Sequence, residues 1–418
     1  MKVSFGFGKS EVNINIPDQN LKGILRANPI EKTQKDEQQL VKDALEAPIG
    51  TPRLKEIVHR GEKIAVITSD ITRPMPSWKV LPNVLDELKE AGIPSSDITI
   101  VFALGSHRVM TDEEKKKLAG ESVFESYKCL DSAGEMVHLG ETANGTPVDI
   151  FKPVAEADRR ICLGNIEYHY FAGYSGGAKA IMPGCSTREA IQANHSRMVD
   201  HHAEAGRLAG NPVREDIEAA AAFAPIDFIV NVVLDEHKNI CACFAGHSIL
   251  AHRAGCRFLD KMYSIKIADR TDIVIVSPGG YPKDLNLYQA QKALDNAGHA
   301  IRNGGTILWI ASAKEGLGEK HFEQWMTGHD RPEDMIEHIQ REFVLGGHKA
   351  AAIAMIMARA KIILYSDLEP DFVRSIHLTP ASDPQQELDE LLKIYGPEAS
   401  VLAMPFGGAT LPVIEKGA

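Results

Sequence analysis

No apolar run in this chain approaches the roughly 20 residues that a membrane-spanning helix needs. A span across a bilayer is therefore not expected. Paired cysteines are missing too: Cys129, Cys162, Cys185, Cys241, Cys243 and Cys256 are scattered, with neither the CxxC pairs of a zinc ribbon nor the dense spacing of a disulfide scaffold. That usage fits a reducing cytoplasm. Basic charge is short, with 46 Lys and Arg against 57 Asp and Glu and a net charge of -11. With no basic block either, neither nucleic acid nor anionic lipid is an expected partner. Lys115, Lys116 and Lys117 follow Asp112, Glu113 and Glu114 on one short helix and read as a solvated face. The start, MKVSFGFGKSEVNINIP, alternates like a strand and lacks the three-part pattern of a secretory signal, so export is not expected. There is also no fixed-period repeat and no low-complexity tract.

What is present is the balance of an ordinary soluble enzyme, 44% hydrophobic and 25% charged residues. A chain of 418 residues exceeds one ordinary core, so two domains are expected. The first 60 residues read as a hairpin (Val3 to Phe7, Val12 to Ile16) and helical stretches around Lys35 to Leu45 and Pro52 to His59. Strands then alternate with helical windows. The candidate strands are Lys63 to Thr68, Ile98 to Leu104, Arg160 to Leu163, Phe228 to Leu234, Ile273 to Val276, Thr306 to Ile310, Ile362 to Tyr365 and Val401 to Ala403. This is the signature of an α/β protein with mostly parallel sheets flanked by helices. A boundary near Lys266 to Thr271 gives an N-terminal domain over 1–267 and a C-terminal domain over 268–404, with the Gly- and Pro-rich tail 405–418 expected to return to the first domain.

In parallel sheets, ligands collect at the carboxyl ends of strands. Four loops there carry unusual polar residues. SDITRP places Asp70 and Arg73 after one strand, and Pro74 keeps Arg73 out of helical geometry. Its guanidinium suits a carboxylate, a phosphate or a developing alkoxide, although a local ion pair fixing the loop would look the same. ALGSHR sets His107, a residue type suited to a general base, after another strand. With 16 histidines in the chain, that residue alone carries little weight.

The stretch GNIEYHYFAGYSGGAKAIMPGCSTREAIQANH is richer, crowding His169, Lys179 and His195 around a glycine loop. It is not a phosphate loop of the GxxxxGK[ST] type, because the second glycine and the hydroxyl are missing. Lys179 lies among Ala178, Ala180, Ile181 and Met182, where desolvation would lower its pKa and suit it to covalent chemistry; a structural lysine reaching for solvent is the plain alternative. A capping box of Ser186 with Glu189 is expected to open the next helix, putting Ile191, His195 and Met198 on one face. His195 there fits a satisfied core residue or a single buried metal ligand. Asp200, His201 and His202 read as polarity at the helix end. In the fourth loop, SPGGYPKDLNLYQAQKAL, Gln289 and Lys292 are three apart and able to share one carboxylate.

In order and over nearly the whole chain, SDITRP, LGSH, the block from Glu167 to His195, YQAQK and the GG-rich tail resemble the lactate racemase family. Its members are 2-hydroxy-acid racemases and epimerases that use nickel in a pincer complex of pyridinium-3,5-bisthiocarboxylic acid mononucleotide. In that family a histidine precedes the cofactor-bearing lysine by ten residues and a nickel-ligating histidine follows it by sixteen, and His169, Lys179 and His195 match that spacing. The resemblance implies that Lys179 is the covalent attachment point and His195 the nickel ligand. It implies that His107 and His169 are paired acid/base residues and that Asp70 and Arg73 orient substrate and cofactor. Tyr288, Gln289 and Lys292 would hold the substrate carboxylate, with the active site in an interdomain cleft. Cofactor synthesis would depend on separate maturation proteins.

The chemistry agrees with those roles. A carbanion beside a carboxylate is costly, whereas oxidation to a flat keto acid erases the stereocentre, and hydride returned to the other face inverts it. One departure stands out. Where the lactate enzymes carry an aromatic residue near the substrate, this chain has EFVLGGHKAAAIA, and His348 and Lys349 facing the cleft would imply a larger or more polar 2-hydroxy acid. Two rival readings are a zinc-dependent hydrolase built on His195, His201 and His202, and a non-catalytic small-carboxylate binding protein built on Arg73, Gln289 and Lys292.

Overall fold

The computed structural model describes residues 1–29, 35–235 and 237–415. The chain forms two compact units, one of residues 30–260 and one that joins residues 1–29 to 261–418. Each has its own six-stranded sheet.

In the 30–260 unit the sheet runs, edge to edge, Ile240–Gly246, Phe228–Leu234, Arg159–Asn165, Ile64–Ser69, Ile98–Ala103 and Lys128–Asp131. All neighbours are parallel except the first pair. The central strands are nearly continuous apolar runs, as strands covered on both faces must be. Ile64, Val66, Ile100, Phe102, Ile161, Leu163 and Val230 lie in one buried cluster with Val80, Leu81, Val84 and Leu88 of the helix Ser77–Glu90. The strand order reverses between Ile64–Ser69 and Arg159–Asn165: later strands are added first on one side, then on the other. At such a switch point the loops leaving two neighbouring strands diverge and open a crevice. Those loops begin at Asp70 and Ile166.

The other unit has an all-parallel sheet in the order Thr379–Ala381, Lys361–Tyr365, Ile301–Ile310, Thr271–Val276, Val401–Met404 and Leu21–Ile24. Its core gathers Ile273, Ile275, Leu308, Ile310 and Ile363 with Val3, Phe5, Ile14 and Ile16 of the N-terminal hairpin.

All eight strands expected from the sequence are present, as is the hairpin, formed by Lys2–Phe7 and Ser10–Asn15. The expected boundaries need correction at both ends. Residues 1–29 belong with the C-terminal unit, because Leu21–Ile24 pairs with Val401–Ala403 and the hairpin seals that unit's core. The tail does not return to the 30–260 unit either: Leu411–Ile414 pairs in parallel with Ser264–Ile267 inside its own unit, and residues 416–418 lie outside the described residues. The helix expected over Pro52 to His59 shrinks to Leu54–Ile57. Among the described residues, no helix is long and apolar enough to cross a membrane.

Candidate active site

Asp70 follows the strand Ile64–Ser69 and is 1% exposed. Burial alone would raise its carboxyl, but the hydrogen bond and charge of His107, with Thr72 and Arg73, hold it below the ordinary carboxylate range. His107 leaves the adjacent strand, Ile98–Ala103, and its Nδ1 lies 2.6 Å from Asp70 Oδ2. Thr72 Oγ1 donates to the other carboxylate oxygen at 2.7 Å. An ionised Asp70 accepts from Nδ1–H, so neutral His107 carries its basic lone pair on Nε2. Arg73 is exposed, in a turn closed by its own N–H on the Asp70 carbonyl.

The third element is the chain leaving Arg159–Asn165. Tyr168–His169 and Gly173–Tyr174 form a minimal antiparallel pair. It is anchored by Asp260 Oδ1, which accepts from Tyr168 at 2.8 Å and Tyr174 at 2.7 Å. The Ala172 amide donates to His169 Nδ1 at 3.2 Å, so the neutral His169 ring has its proton on Nε2. Gly173 has φ +74, and a Cβ there would stand 2.0 Å from the Arg207 carbonyl oxygen, so only glycine fits.

Phe171 at the tip of this hairpin draws the expected trio together. Its ring centroid is 4.5 Å from that of His169, 5.0 Å from that of His195 and 6.0 Å from Lys179 Nζ. Lys179 sits in the short turn Gly177–Ala180. Its amine is held well below the ordinary lysine value, by burial first and then by Arg73 and Arg214, with Glu167 opposing. Since Arg73 acts on Lys179, the SDITRP loop and the glycine loop share one electrostatic neighbourhood. The LGSH loop joins them through Gly105 N–H on the Gly184 carbonyl, 2.9 Å.

His195, 6% exposed, ends the helix Arg188–His195. The expected capping box does not form: Thr187, one residue on, is the N-cap, its side chain accepting from Ala190 N–H, which puts Glu189 at the second helical position, while Ser186 Oγ donates to the Ile181 carbonyl. Ile191, His195 and Met198 are all buried, as their shared face requires.

Sequence reasoning missed the support behind His195. Asn194 Nδ2 donates to the Val213 carbonyl at 3.1 Å and to Asp216 Oδ2 at 2.8 Å, which fixes the amide and turns its oxygen toward His195 Nδ1, 2.8 Å away. Asp216 also accepts from Thr142 and Thr146, both at 2.6 Å. Burial would raise its carboxyl, yet Asn194 and the two threonines hold it low. His195 Nδ1 is therefore the protonated nitrogen, and the ring's lone pair is on Nε2. This is the arrangement in which an outer acceptor orients a metal-binding imidazole. No motif announces it; a buried polar residue beside the candidate ligand was the available signal.

Tyr288, Gln289 and Lys292 lie in the other unit, on the helix Leu287–Ala300, with Asn286 capping Gln289 N–H. Gln289 is exposed and Lys292 half-buried. Lys349 donates to the Tyr288 carbonyl at 2.7 Å and stands 4.0 Å from the centre of its ring. His348 is buried, with Nδ1 accepting from Gly346 N–H. Asp200, His201 and His202 offer ligand atoms within 4.8 Å of one another on the surface. His195 is not in that group, so the structure does not assemble the zinc site of the first rival reading.

Known proteins match this chain over almost its full length. The lactate racemase N-terminal domain family matches residues 7–206 and the lactate racemase C-terminal domain family residues 266–411. The lactate racemase of Thermoanaerobacterium thermosaccharolyticum is 35% identical, covering 99% of both chains. That of Lactiplantibacillus plantarum is 33% identical, covering 97% of this chain and 98% of its own. The structure of the lactate racemase apoprotein from Thermoanaerobacterium thermosaccharolyticum superposes with a TM-score of 0.88 at 34% identity and covers all of both chains.

Proposed function

The chain belongs to the lactate racemase family and is an isomerase of the racemase class, and from that premise we propose that it inverts the carbinol carbon of a small 2-hydroxy acid with a lysine-tethered nickel pincer nucleotide. The observation that carries this reading is the ring of Phe171, which lies against His169 and His195 and 6.0 Å from Lys179 Nζ.

The residues fit the cofactor on structural grounds. A half-buried lysine whose amine is depressed by burial and cations has the chemistry of a covalent anchor. A single imidazole with its tautomer set by Asn194 is a suitable donor for one borderline metal. Pyridinium-3,5-bisthiocarboxylic acid mononucleotide with nickel, when bound, supplies a hydride acceptor. Separate maturation proteins would make it.

The chain's own residues do the rest. Asp70 holds His107 so that Nε2 takes the hydroxyl proton of one enantiomer. His169 is assigned the oxygen of the opposite enantiomer, a role in which its ring has to give up the Ala172 amide on Nδ1 to offer a basic nitrogen. Arg73 steadies the negative charge that grows on that oxygen, while Gln289 and Lys292, with Tyr288 at the start of the same helix, hold the carboxylate. His348 and Lys349 are engaged inside their own unit, so the ground for a bulkier polar substrate is weaker and a lactate-sized acid is the first candidate. The six free thiols support a reducing cytoplasm.

The test is peptide mapping of protein co-produced with the maturation enzymes, alongside a racemisation assay on single enantiomers of lactate and of larger 2-hydroxy acids. A sulfur-containing nucleotide adduct on Lys179 is expected. Racemisation by protein with unmodified Lys179 would overturn the mechanism, and rapid turnover confined to polar acids would overturn the substrate.

A further inference from the structure

Behind the glycine loop lies a buried cation that the racemase reading leaves without a task. Arg214, on the helix Pro212–Ala221, is 1% exposed. Its Nη1 donates to the Tyr174 carbonyl at 3.3 Å, its Nη2 to His252 Nδ1 at 3.0 Å, and its Nε to Glu218 at 2.7 Å. His252, wholly buried, donates from Nε2 to the Ser175 carbonyl at 2.8 Å. Burial and the neighbouring arginines press its value far down, so it is a neutral imidazole with the one proton that this bond uses. Two consecutive carbonyls leading to Lys179 are thus held from beneath by one guanidinium and its imidazole. Gly177 completes the fit, since a Cβ there would stand 3.0 Å from the His252 ring and 3.1 Å from Arg214 Nη2.

An amine attacks an electrophilic carbon only as the neutral base. A nearby fixed cation favours that form, and one buried in protein is shielded from salt far less than one in solvent. Three charged groups bear on Lys179: Arg73 from the strand-end loop, which is exposed, Glu167 from the chain after Arg159–Asn165, and Arg214, which is not exposed. Burial depresses Arg214 itself, but an arginine paired with a carboxylate stays charged at neutral pH.

We propose that Arg214, with His252, is the positioning residue for Lys179, fixing the loop that carries the amine and presenting that amine as a nucleophile. The idea rests on the reading of Lys179 as an attachment point, but its test needs no cofactor. Full-length protein made without maturation enzymes is labelled with trace acetic anhydride across neutral to alkaline pH. The amine's electron pair forms a C–N bond as an anhydride C–O bond breaks; acetate leaves and the surplus proton passes to water. The extent at Lys179 is read by peptide mass spectrometry.

In Arg214→Met the half-labelling pH is expected to rise by about one unit, lowering labelling at neutral pH about tenfold. Arg214→Lys, which keeps the charge, should stay near the wild type. A wild-type curve for folded Arg214→Met overturns the proposal. Should that variant not fold, the wild-type protein decides: at molar salt its curve should stay in place, and a shift to the value of surface lysines would assign the effect to exposed Arg73 and overturn the proposal. Racemisation by unmodified protein would end the attachment reading and leave the labelling result standing.

Discussion

In the proposed reaction Asp70 decides which nitrogen of His107 is free to act as the base. An amide in its place can present N–H to Nδ1 and invert the tautomer, so Asp70→Asn should lower kcat about 10²- to 10⁴-fold with little change in KM, measured by steady-state racemisation. Asn194→Leu removes the acceptor that orients His195. If the proposed nickel site is right, metal affinity of protein co-produced with the maturation enzymes should fall about 10- to 100-fold, read as metal per chain after dialysis against a chelator, with the thermal melt checking that the variant is folded. Three residues of the proposed site, His169, Lys179 and His195, stood out in the sequence because their spacing is local, and His107 because it follows a strand. Phe171, Asn194, Asp216 and Arg214 did not: Asp216 meets Asn194 from 22 residues away and Arg214 meets the Tyr174 carbonyl from 40, and only folding brings them close.

At the scale of elements, the helix Leu287–Ala300 carries a pH-dependent liability within one turn of Lys292. Burial raises the Asp295 carboxyl to about 7, against the pull of Arg359, Lys349 and Lys292. Its folded value lies above its unfolded one, so the stability it contributes is complete below about pH 4 and is lost as pH rises through about 7. Asp295→Asn should therefore raise Tm at pH 8 relative to wild type and change it little at acid pH, in melts recorded across that range. The glycine hairpin is constrained differently. Gly173→Ala should cost more than about 1 kcal/mol in urea unfolding, through φ +74 and the Arg207 carbonyl. Strands with continuous apolar runs, such as Ile64–Ser69 and Thr271–Val276, declared themselves in the sequence. Lys128–Asp131, Met136–Glu141 and Thr379–Ala381 did not, being short and only half-covered, with too few apolar residues to set a period.

For the whole molecule, the assignment of the first 29 residues was the part that periodicity could not give, since pairing between distant segments leaves no local trace. Calorimetry of a chain lacking residues 1–29 should show one transition lowered, that of the unit losing the Leu21–Ile24 edge and the hairpin residues Val3, Phe5 and Ile14, and the other retained. Residues 30–260 expressed alone should melt cooperatively, because among the described residues their core cluster draws on none outside that span.

The pairing of Leu21 with Val401, 380 positions apart, also sets a timetable for birth. At ~5–20 residues per second, the ribosome delivers the second partner roughly 20 to 80 s after the first. Throughout that interval the span holding Asp70, His107, His169, Lys179 and His195 can emerge and close on its own, while Leu21–Ile24 waits without its mate. A newborn chain thus completes the unit with the proposed site well before Leu21–Ile24 has a sheet edge to join.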